Sequence, residues 1–234
     1  MSARILSYLA GIAWLGAAGA GIASLWHYSL IPAGVHKAGR SWPQASALSK
    51  AADGRFSLVM FLHPECPCSR ASVEELSVLL ARHADRILPQ VVFFTPVDKK
   101  TEWSDTRLWR QARELPGVRT RMDEAGREAE RFGASSSGET FVYDSQGTLV
   151  FHGGVTSARG HEGDNDGLAA IGNLVGKSAA ETSGTRSPDE GGQDEVKTPV
   201  YGCPLHEERE VEKALPEAVL KIGSEQPSGQ GGKQ

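Results

Sequence analysis

The sequence predicts an α/β fold, in which a mixed sheet flanked by helices is preceded by one transmembrane helix. Short apolar runs typical of buried strands alternate with amphipathic helical stretches and end in a hairpin pattern, which indicates a mixed sheet with helices packed on it. Residues 5–30 contain no Asp, Glu, Lys or Arg. About twenty apolar residues are enough to cross a bilayer as a helix.

The apolar N-terminal segment, residues 1–30, is predicted to be an uncleaved anchor because its apolar run is longer than that of a typical secretory signal. Trp26 and Tyr28 suit a membrane interface, and Arg4 favours a cytoplasmic N-terminus. The alternative is a cleaved signal peptide, since residues 18–23 are rich in small side chains. The globular part is then expected on the extracytoplasmic, periplasmic side.

After the anchor, residues 31–52 are predicted to form a linker and a short helix, with Ser41 as its cap and Pro43 in its first turn. Residues 53–177 form the predicted globular domain, which opens with a buried strand at residues 56–62. The further predicted elements are a helix after residue 66, strands at 91–95 and 118–122, helices at 104–115 and 123–132, a hairpin of 141–143 and 148–151, and a helix at 168–175.

Cys66 and Cys68 lie where the first predicted strand ends and the next helix begins. The positive end of the helix dipole favours a thiolate over a thiol, so this position suits thiol chemistry. The flanking residues expected to line the site are His63, Pro64, Glu65 and Pro67.

Three interpretations of the Cys-Pro-Cys sequence compete: two small buried residues, a metal site that uses His63 with Cys66 and Cys68, and a redox pair. No second Cys-x-x-Cys or Cys/His pair accompanies these cysteines, which argues against a closed zinc site. The redox interpretation is favoured, and no metal or other cofactor is predicted.

The strand–cysteine–helix pattern of residues 56–71 resembles the thioredoxin-like superfamily, with Cys-Pro-Cys in place of Cys-x-x-Cys, and the hairpin of residues 141–154 continues the match. His-Pro-Glu-Cys-Pro-Cys together with Arg-Gly-His-Glu-Gly-Asp-Asn at 159–165 is similar to membrane-anchored TlpA-like, RedB-type proteins. The resemblance covers residues 53–177. It implies thiol–disulfide exchange with client proteins, in which Cys66 is the nucleophile and Cys68 the resolving thiol.

In thioredoxin-like proteins a cis-proline before the first hairpin strand faces the cysteines. Residues 135–140 contain no proline, so Glu139 or Thr140 is expected closest to that place, with a trans peptide because a non-proline cis bond is costly. Arg159 and His161 are expected to border the site, where a cation lowers a thiol pKa.

The second unusual stretch surrounds His161. Asp164 and Asn165 are predicted to cap the helix that follows. The alternative interpretation treats His161, Glu162 and Asp164 as metal ligands.

The C-terminal part divides into a polar linker at residues 178–198 and a tail at residues 199–234 that carries Cys203. The tail either covers apolar surface of the domain or returns Cys203 to the other two cysteines as a resolving thiol.

The net charge of −4 and the pI near 6.0 give no reason to expect a nucleic-acid partner. The favoured prediction is a membrane-anchored, extracytoplasmic thiol–disulfide oxidoreductase that acts on thiols or disulfides of other proteins. The alternatives are a copper(I)-handling metallochaperone using His63, Cys66 and Cys68, a peroxidase-like thiol protein, and a catalytically silent binding domain.

Overall fold

The structure is a computed structural model, and it describes residues 3–34, 37–96, 105–176 and 195–205. The helices are α1 Ala3–Ser29, α2 Pro67–His83, α3 Arg107–Glu114, α4 Arg127–Phe132 and α5 Asp166–Gly176. The strands are β1 Phe56–Leu62, β2 Ile87–Thr95, β3 Arg119–Glu124, β4 Glu139–Tyr143, β5 Leu149–Gly153 and β6 Val196–Lys197.

The described strands form one mixed sheet in the order β3-β2-β1-β4-β5-β6. The pairs β1–β2, β2–β3 and β5–β6 are parallel, whereas β1–β4 and β4–β5 are antiparallel. Strand β1 is therefore central, and α2 begins shortly after its C-terminal end. The predicted fold class, an α/β mixed sheet flanked by helices, is confirmed.

Both faces of the sheet are covered, and β1 shows this in its alternation. Leu58, Met60 and Leu62 belong to the core under α2, α3 and α5, whereas Val59 and Phe61 belong to the core under α4. Successive strand residues point to opposite faces, so a continuous apolar run is what a strand buried on both sides requires.

The predicted helix within residues 42–52 is wrong: this segment is irregular. Its amides are bound by side chains from other parts of the chain, two of them more than 40 residues away. The Glu128 carboxylate accepts from the Ala47 amide at 3.0 Å, Gln90 from Ser49 at 3.1 Å, and Ser57 from Ala51 at 2.8 Å. These tertiary bonds replace the local hydrogen bonds that a helix would have made.

The boundary between β3 and α4 also differs from the prediction, because the strand continues through Glu124 and the helix begins only at Arg127. Asp123, the next-to-last residue of the strand, caps the helix with its side chain. Its carboxylate accepts the amides of Glu128 and Ala129 at 2.8 and 2.9 Å. Strand β2 likewise begins at Ile87, four residues before the prediction, because it pairs with β1 along the whole of that strand.

Helix α1 is exposed along its length, and its large apolar side chains include Trp14 and Leu25, which are 70% and 71% exposed. Within the described residues it is the one helix long and apolar enough to cross a membrane. Its 27 residues span about 40 Å at 1.5 Å per residue, more than the hydrocarbon core of about 30 Å.

The linker that follows α5 ends earlier in the sequence than predicted. Residues 195–197 were expected in the flexible linker, but Val196 and Lys197 pair with Phe151 and His152 of β5 and add an edge strand to the sheet. The rest of that linker, residues 178–194, and the tail beyond Leu205 lie outside the described residues.

Candidate functional site

Cys66 is the residue immediately before the first turn of α2. Its backbone is extended (φ −78°, ψ 121°), and Pro67 is the first helical residue, a position that costs no helical hydrogen bond. Its amide donates to the His63 carbonyl at 3.1 Å, and its carbonyl accepts from the Ser69 amide at 3.0 Å. Cys68 follows within the same first turn, so both thiols lie at the positive end of the helix dipole.

Cys203 reaches the same place from the return segment, residues 195–205. Its Sγ lies 3.1 Å from the Sγ of Cys66, and all three cysteine sulfurs lie within 4.8 Å of one another. Cys66 and Cys68 are each 6% exposed, whereas Cys203 is half-buried, and all three are free thiols. The 3.1 Å contact is only about 1 Å longer than a disulfide bond of about 2.05 Å.

Backbone pairing with residues 135–137 holds Cys203 at the site. The Ser137 amide donates to the Cys203 carbonyl at 2.8 Å, and the Leu205 amide donates to the Ser135 carbonyl at 2.9 Å. Gly202 permits this approach, because a Cβ at that position would overlap the backbone carbonyl of Ser137. The geometry of the third thiol is therefore set by the fold of the domain.

A serine network connects three parts of the site. The Ser137 Oγ accepts from the His63 amide at 2.9 Å and lies 2.6 Å from the Ser69 Oγ. The Ser69 Oγ also donates to the His63 carbonyl at 2.8 Å. This network fixes the loop before Cys66 against both α2 and the loop, residues 135–137, that binds the Cys203 segment. Sequence reasoning missed both serines, although the Ser-Ser-Ser-Gly run at 135–138 marked the place.

Glu139 and Thr140, which were expected closest to the place of the family's cis-proline, lie in β4, and Ser137 of the preceding loop binds the Cys203 segment. The Glu139 carboxylate accepts from the amides of Ser135 and Ser136 at 2.8 and 3.1 Å and pairs with His152 at 2.7 Å. The Thr140 hydroxyl donates to the Gly138 carbonyl. Glu139 therefore acts indirectly: its carboxylate binds backbone amides of the loop that in turn binds the Cys203 segment. All described peptide bonds are trans, as predicted.

Arg159 borders the site, whereas His161 does not join the cysteines. The Arg159 guanidinium donates to the Gly202 carbonyl, next to Cys203. The same guanidinium lies 4.9 Å from the centre of the Tyr28 ring. The backbone amide of Arg159 donates to the Ser29 carbonyl at 3.0 Å. His161 is exposed and its ring nitrogen lies 3.4 Å from the Arg159 carbonyl. Arg159 therefore connects the end of α1 to the cysteine site.

The residues before Cys66 shape the loop rather than the sulfur cluster. The His63 ring stacks on Phe94 with centroids 5.9 Å apart, and its Nδ1 accepts from the Glu65 amide at 3.2 Å. Pro64 is buried and Glu65 is exposed.

The capping prediction for α5 is confirmed for Asn165, whose side-chain oxygen accepts from the Leu168 amide at 2.7 Å. Glu75 of α2 holds the preceding loop, because its carboxylate accepts from the amides of Gly163 and of the Asn165 side chain. In the part of the chain that the structure describes, the group with metal-ligand spacing consists of the three cysteines, not of His161, Glu162 and Asp164.

The three thiols differ in acidity, and the pKa of Cys66 is the one that is lowered. Hydrogen bonds from the Cys68 thiol, and then from Cys203, lower the pKa of Cys66 to about 4. The pKa of Cys68 is raised, first by its hydrogen bond to Cys66 and then by burial. Burial and the contact with Cys66 raise the pKa of Cys203 to about 11. A helix N-terminus stabilises an anion at the same position, so the direction of the pKa shift agrees with the place of Cys66 in the fold.

No protein-family model and no curated protein matches the sequence. Among solved structures, an uncharacterized conserved protein from Geobacillus kaustophilus is 16% identical and matches 75% of this chain and 94% of its own with a TM-score of 0.53. A hypothetical protein from Sinorhizobium meliloti is 23% identical over 66% and 80% of the two chains, with a TM-score of 0.46.

The thioredoxin domain of a thiol-disulfide oxidoreductase from Bacteroides vulgatus is 16% identical over 63% of this chain and 99% of its own, with a TM-score of 0.38. The match to the Geobacillus protein carries a conclusion about fold alone. The chain is an α/β protein with a mixed sheet flanked by helices, and thioredoxin-like proteins are among its structural neighbours.

Proposed function

We propose that this chain is a membrane-anchored, TlpA-like/RedB-type thiol–disulfide oxidoreductase whose globular domain lies on the extracytoplasmic side. The observation that carries the proposal is the position of Cys66 at the start of α2, with the Cys203 sulfur 3.1 Å away. Thiol–disulfide exchange requires a thiolate that attacks and a second thiol that resolves the mixed disulfide. Both are assembled in this cluster.

In the reductive direction, the Cys66 thiolate attacks one sulfur of a client disulfide. A Cys66–client bond forms, the client S–S bond breaks, and the client's other sulfur leaves as a thiolate that takes up a proton. A second thiol of the cluster then loses its proton and attacks the Cys66 Sγ. This releases the second client thiol and leaves the protein oxidised by two electrons. The oxidative direction is the reverse.

Cys203 is the better resolving thiol on geometry. Cys66 and Cys68 are separated only by Pro67, whose ring fixes φ, so a bond between them closes a very small ring. Cys203 approaches from a different segment and already contacts Cys66. In this scheme the oxidised protein contains a Cys66–Cys203 bond, and Cys68 remains a thiol that donates a hydrogen bond to Cys66 in the reduced form.

The membrane assignment is supported by α1, which is long, apolar and exposed. Arg159 contacts Tyr28 and Ser29 at the C-terminal end of α1 and also contacts the Gly202 carbonyl beside Cys203. The cysteine site therefore lies close to the end of the proposed anchor. The clients are then proteins whose disulfides come within reach of the membrane surface.

The proposal is tested by trapping. The full chain, purified in detergent and reduced, is mixed with a disulfide-bonded peptide and quenched with acid. The Cys68→Ser/Cys203→Ser double variant should accumulate a mixed disulfide through Cys66, whereas the wild-type protein should release it. Among single variants, Cys203→Ser should accumulate more adduct than Cys68→Ser.

Cys66→Ser is the matched control, since it keeps the other two cysteines and should trap little peptide. Equal trapping by Cys66→Ser and by the double variant would overturn the assignment of the nucleophile. Failure of the wild-type protein to exchange with any disulfide peptide, with its thiols intact, would overturn the activity itself.

A further inference from the structure

We infer that the three reduced cysteines form a binding site for one copper(I) ion. This inference goes beyond the proposed exchange activity and does not depend on it. The Sγ atoms of Cys66, Cys68 and Cys203 lie within 4.8 Å of one another, and two of these residues are buried. The three sulfurs come together because Cys66 precedes α2, Cys68 lies in its first turn, and the return segment supplies Cys203.

The spacing fits a trigonal thiolate site. A metal–thiolate bond of about 2.3 Å places three sulfurs about 4 Å apart around a central ion. The Sγ atoms of Cys66 and Cys203 lie 3.1 Å apart, and no two of the three sulfurs are more than 4.8 Å apart. The Cys66–Cys203 pair must open by about 1 Å to admit the ion. Rotation of the half-buried Cys203 side chain supplies that movement without displacing α2.

The ligand set favours copper(I) over zinc. Thiolates are soft ligands that select copper(I), whereas structural zinc sites are almost always four-coordinate. Among the residues that the structure describes, the cluster contains three cysteines, and no histidine or carboxylate joins them as a fourth ligand. The sequence-based alternative used His63, but that ring stacks on Phe94 and its Nδ1 accepts from the Glu65 amide. Cys203 takes the place of His63 as third ligand.

Arg159 supplies the charge that such a complex needs. Three thiolates around a singly charged ion leave an excess of negative charge that must be balanced in a partly buried site. The Arg159 guanidinium binds the Gly202 carbonyl, next to Cys203. Its Nε is buried and has no hydrogen-bond partner among the residues that the structure describes. The Arg159 guanidinium thus lies next to the Cys203 segment, with its Nε–H unused among the described residues.

The same sulfurs serve exchange and metal binding, so the two states exclude each other. A disulfide between any two of the cysteines removes two of the three ligands. The reduced protein should therefore bind copper(I), and the oxidised protein should not.

The test uses the full chain in detergent, reduced and kept anaerobic, and titrates copper(I) against the chromophoric chelator bathocuproine disulfonate. The wild-type protein should bind one copper(I) per chain. Cys203→Ser should weaken binding by more than the roughly 10- to 100-fold that loss of an outer-shell partner costs. His63→Ala tests the rival ligand set and should cost less affinity than the roughly tenfold that marks the loss of even an outer-shell partner.

X-ray absorption on the copper-loaded wild-type protein is independent of how the variants fold, and it should show three sulfur neighbours and no nitrogen. A two-sulfur site, a nitrogen ligand, or equal binding by oxidised and reduced protein would overturn the inference. Exchange is assayed separately with excess chelator present. A wild-type protein that catalyses exchange but binds no copper(I) refutes the copper site alone. A wild-type protein that binds copper(I) but catalyses no exchange refutes the proposed function alone.

Discussion

Replacing Cys203 by alanine should raise the pKa of Cys66. In the structure the Cys203 thiol lies 3.1 Å from the Cys66 sulfur and, with Cys68, donates the hydrogen bonds that lower this pKa to about 4. A hydrogen bond to a charged group contributes about 1.5–3 kcal/mol. Since one pKa unit corresponds to about 1.4 kcal/mol, loss of one of the two donors should raise the pKa by about 1 to 2 units.

The assay follows the alkylation rate of Cys66 with iodoacetamide as a function of pH, with the modified peptide quantified by mass spectrometry. The reduced full chain in detergent is compared with Cys203→Ala and with Cys203→Ser. The serine variant keeps an O–H donor, so its midpoint should shift upward less than that of the alanine variant.

An unchanged midpoint in Cys203→Ala would show that Cys203 does not contact the Cys66 thiolate in solution. Equal shifts in the alanine and serine variants would show that the effect comes from altered packing and not from a lost donor. Either result would refute the hydrogen-bond account of Cys66.

Three further outcomes are expected. Gly202→Ala should shift the Cys66 alkylation midpoint upward as Cys203→Ala does, because the added Cβ would overlap the Ser137 carbonyl. Gly34→Ala is its control, since a Cβ there meets nothing within 4 Å. A wild-type profile in Gly202→Ala would count against the docking of Cys203. The pKa of Cys66 falls on folding from 9.0 to about 4, so its contribution to stability is lost as pH falls towards 4. The stability of the reduced wild type relative to Cys66→Ala should accordingly rise between about pH 5 and pH 8, by at most about 1.4 kcal/mol per pH unit; chemical unfolding that shows the opposite slope would contradict the assignment. A reporter fused after Lys50 should be active outside the cytoplasm in a membrane fraction, whereas a soluble processed chain would identify a cleaved signal.

The central strand and the placement of the first two cysteines were predictable because their signals are local. The apolar run of β1 and the amphipathic pattern of α2 lie on either side of Cys66 in the sequence, and both elements form where the pattern puts them. The role of Asn165 as a helix cap is equally local. The return of Cys203 was an open alternative, since a flexible linker permits it without specifying it.

The features that the sequence did not predict depend on contacts between residues far apart in the chain. Residues 42–52 carry helix-start signals, but Glu128 and Gln90 bind the amides of this segment from far along the chain. The contact of Ser137 with Cys203 was missed because it arises where the loop before β4 pairs with the return segment, across 66 positions, from 137 to 203. No local pattern encodes either choice.

The most direct test of the account is a disulfide map of the oxidised full chain. Free thiols are blocked, the protein is digested without reductant, and the cross-linked peptides are identified by mass spectrometry. The account predicts a bond between Cys66 and Cys203, with Cys68 recovered as a blocked thiol. Recovery of Cys203 only as a blocked thiol, with Cys66 bonded to Cys68, would contradict it.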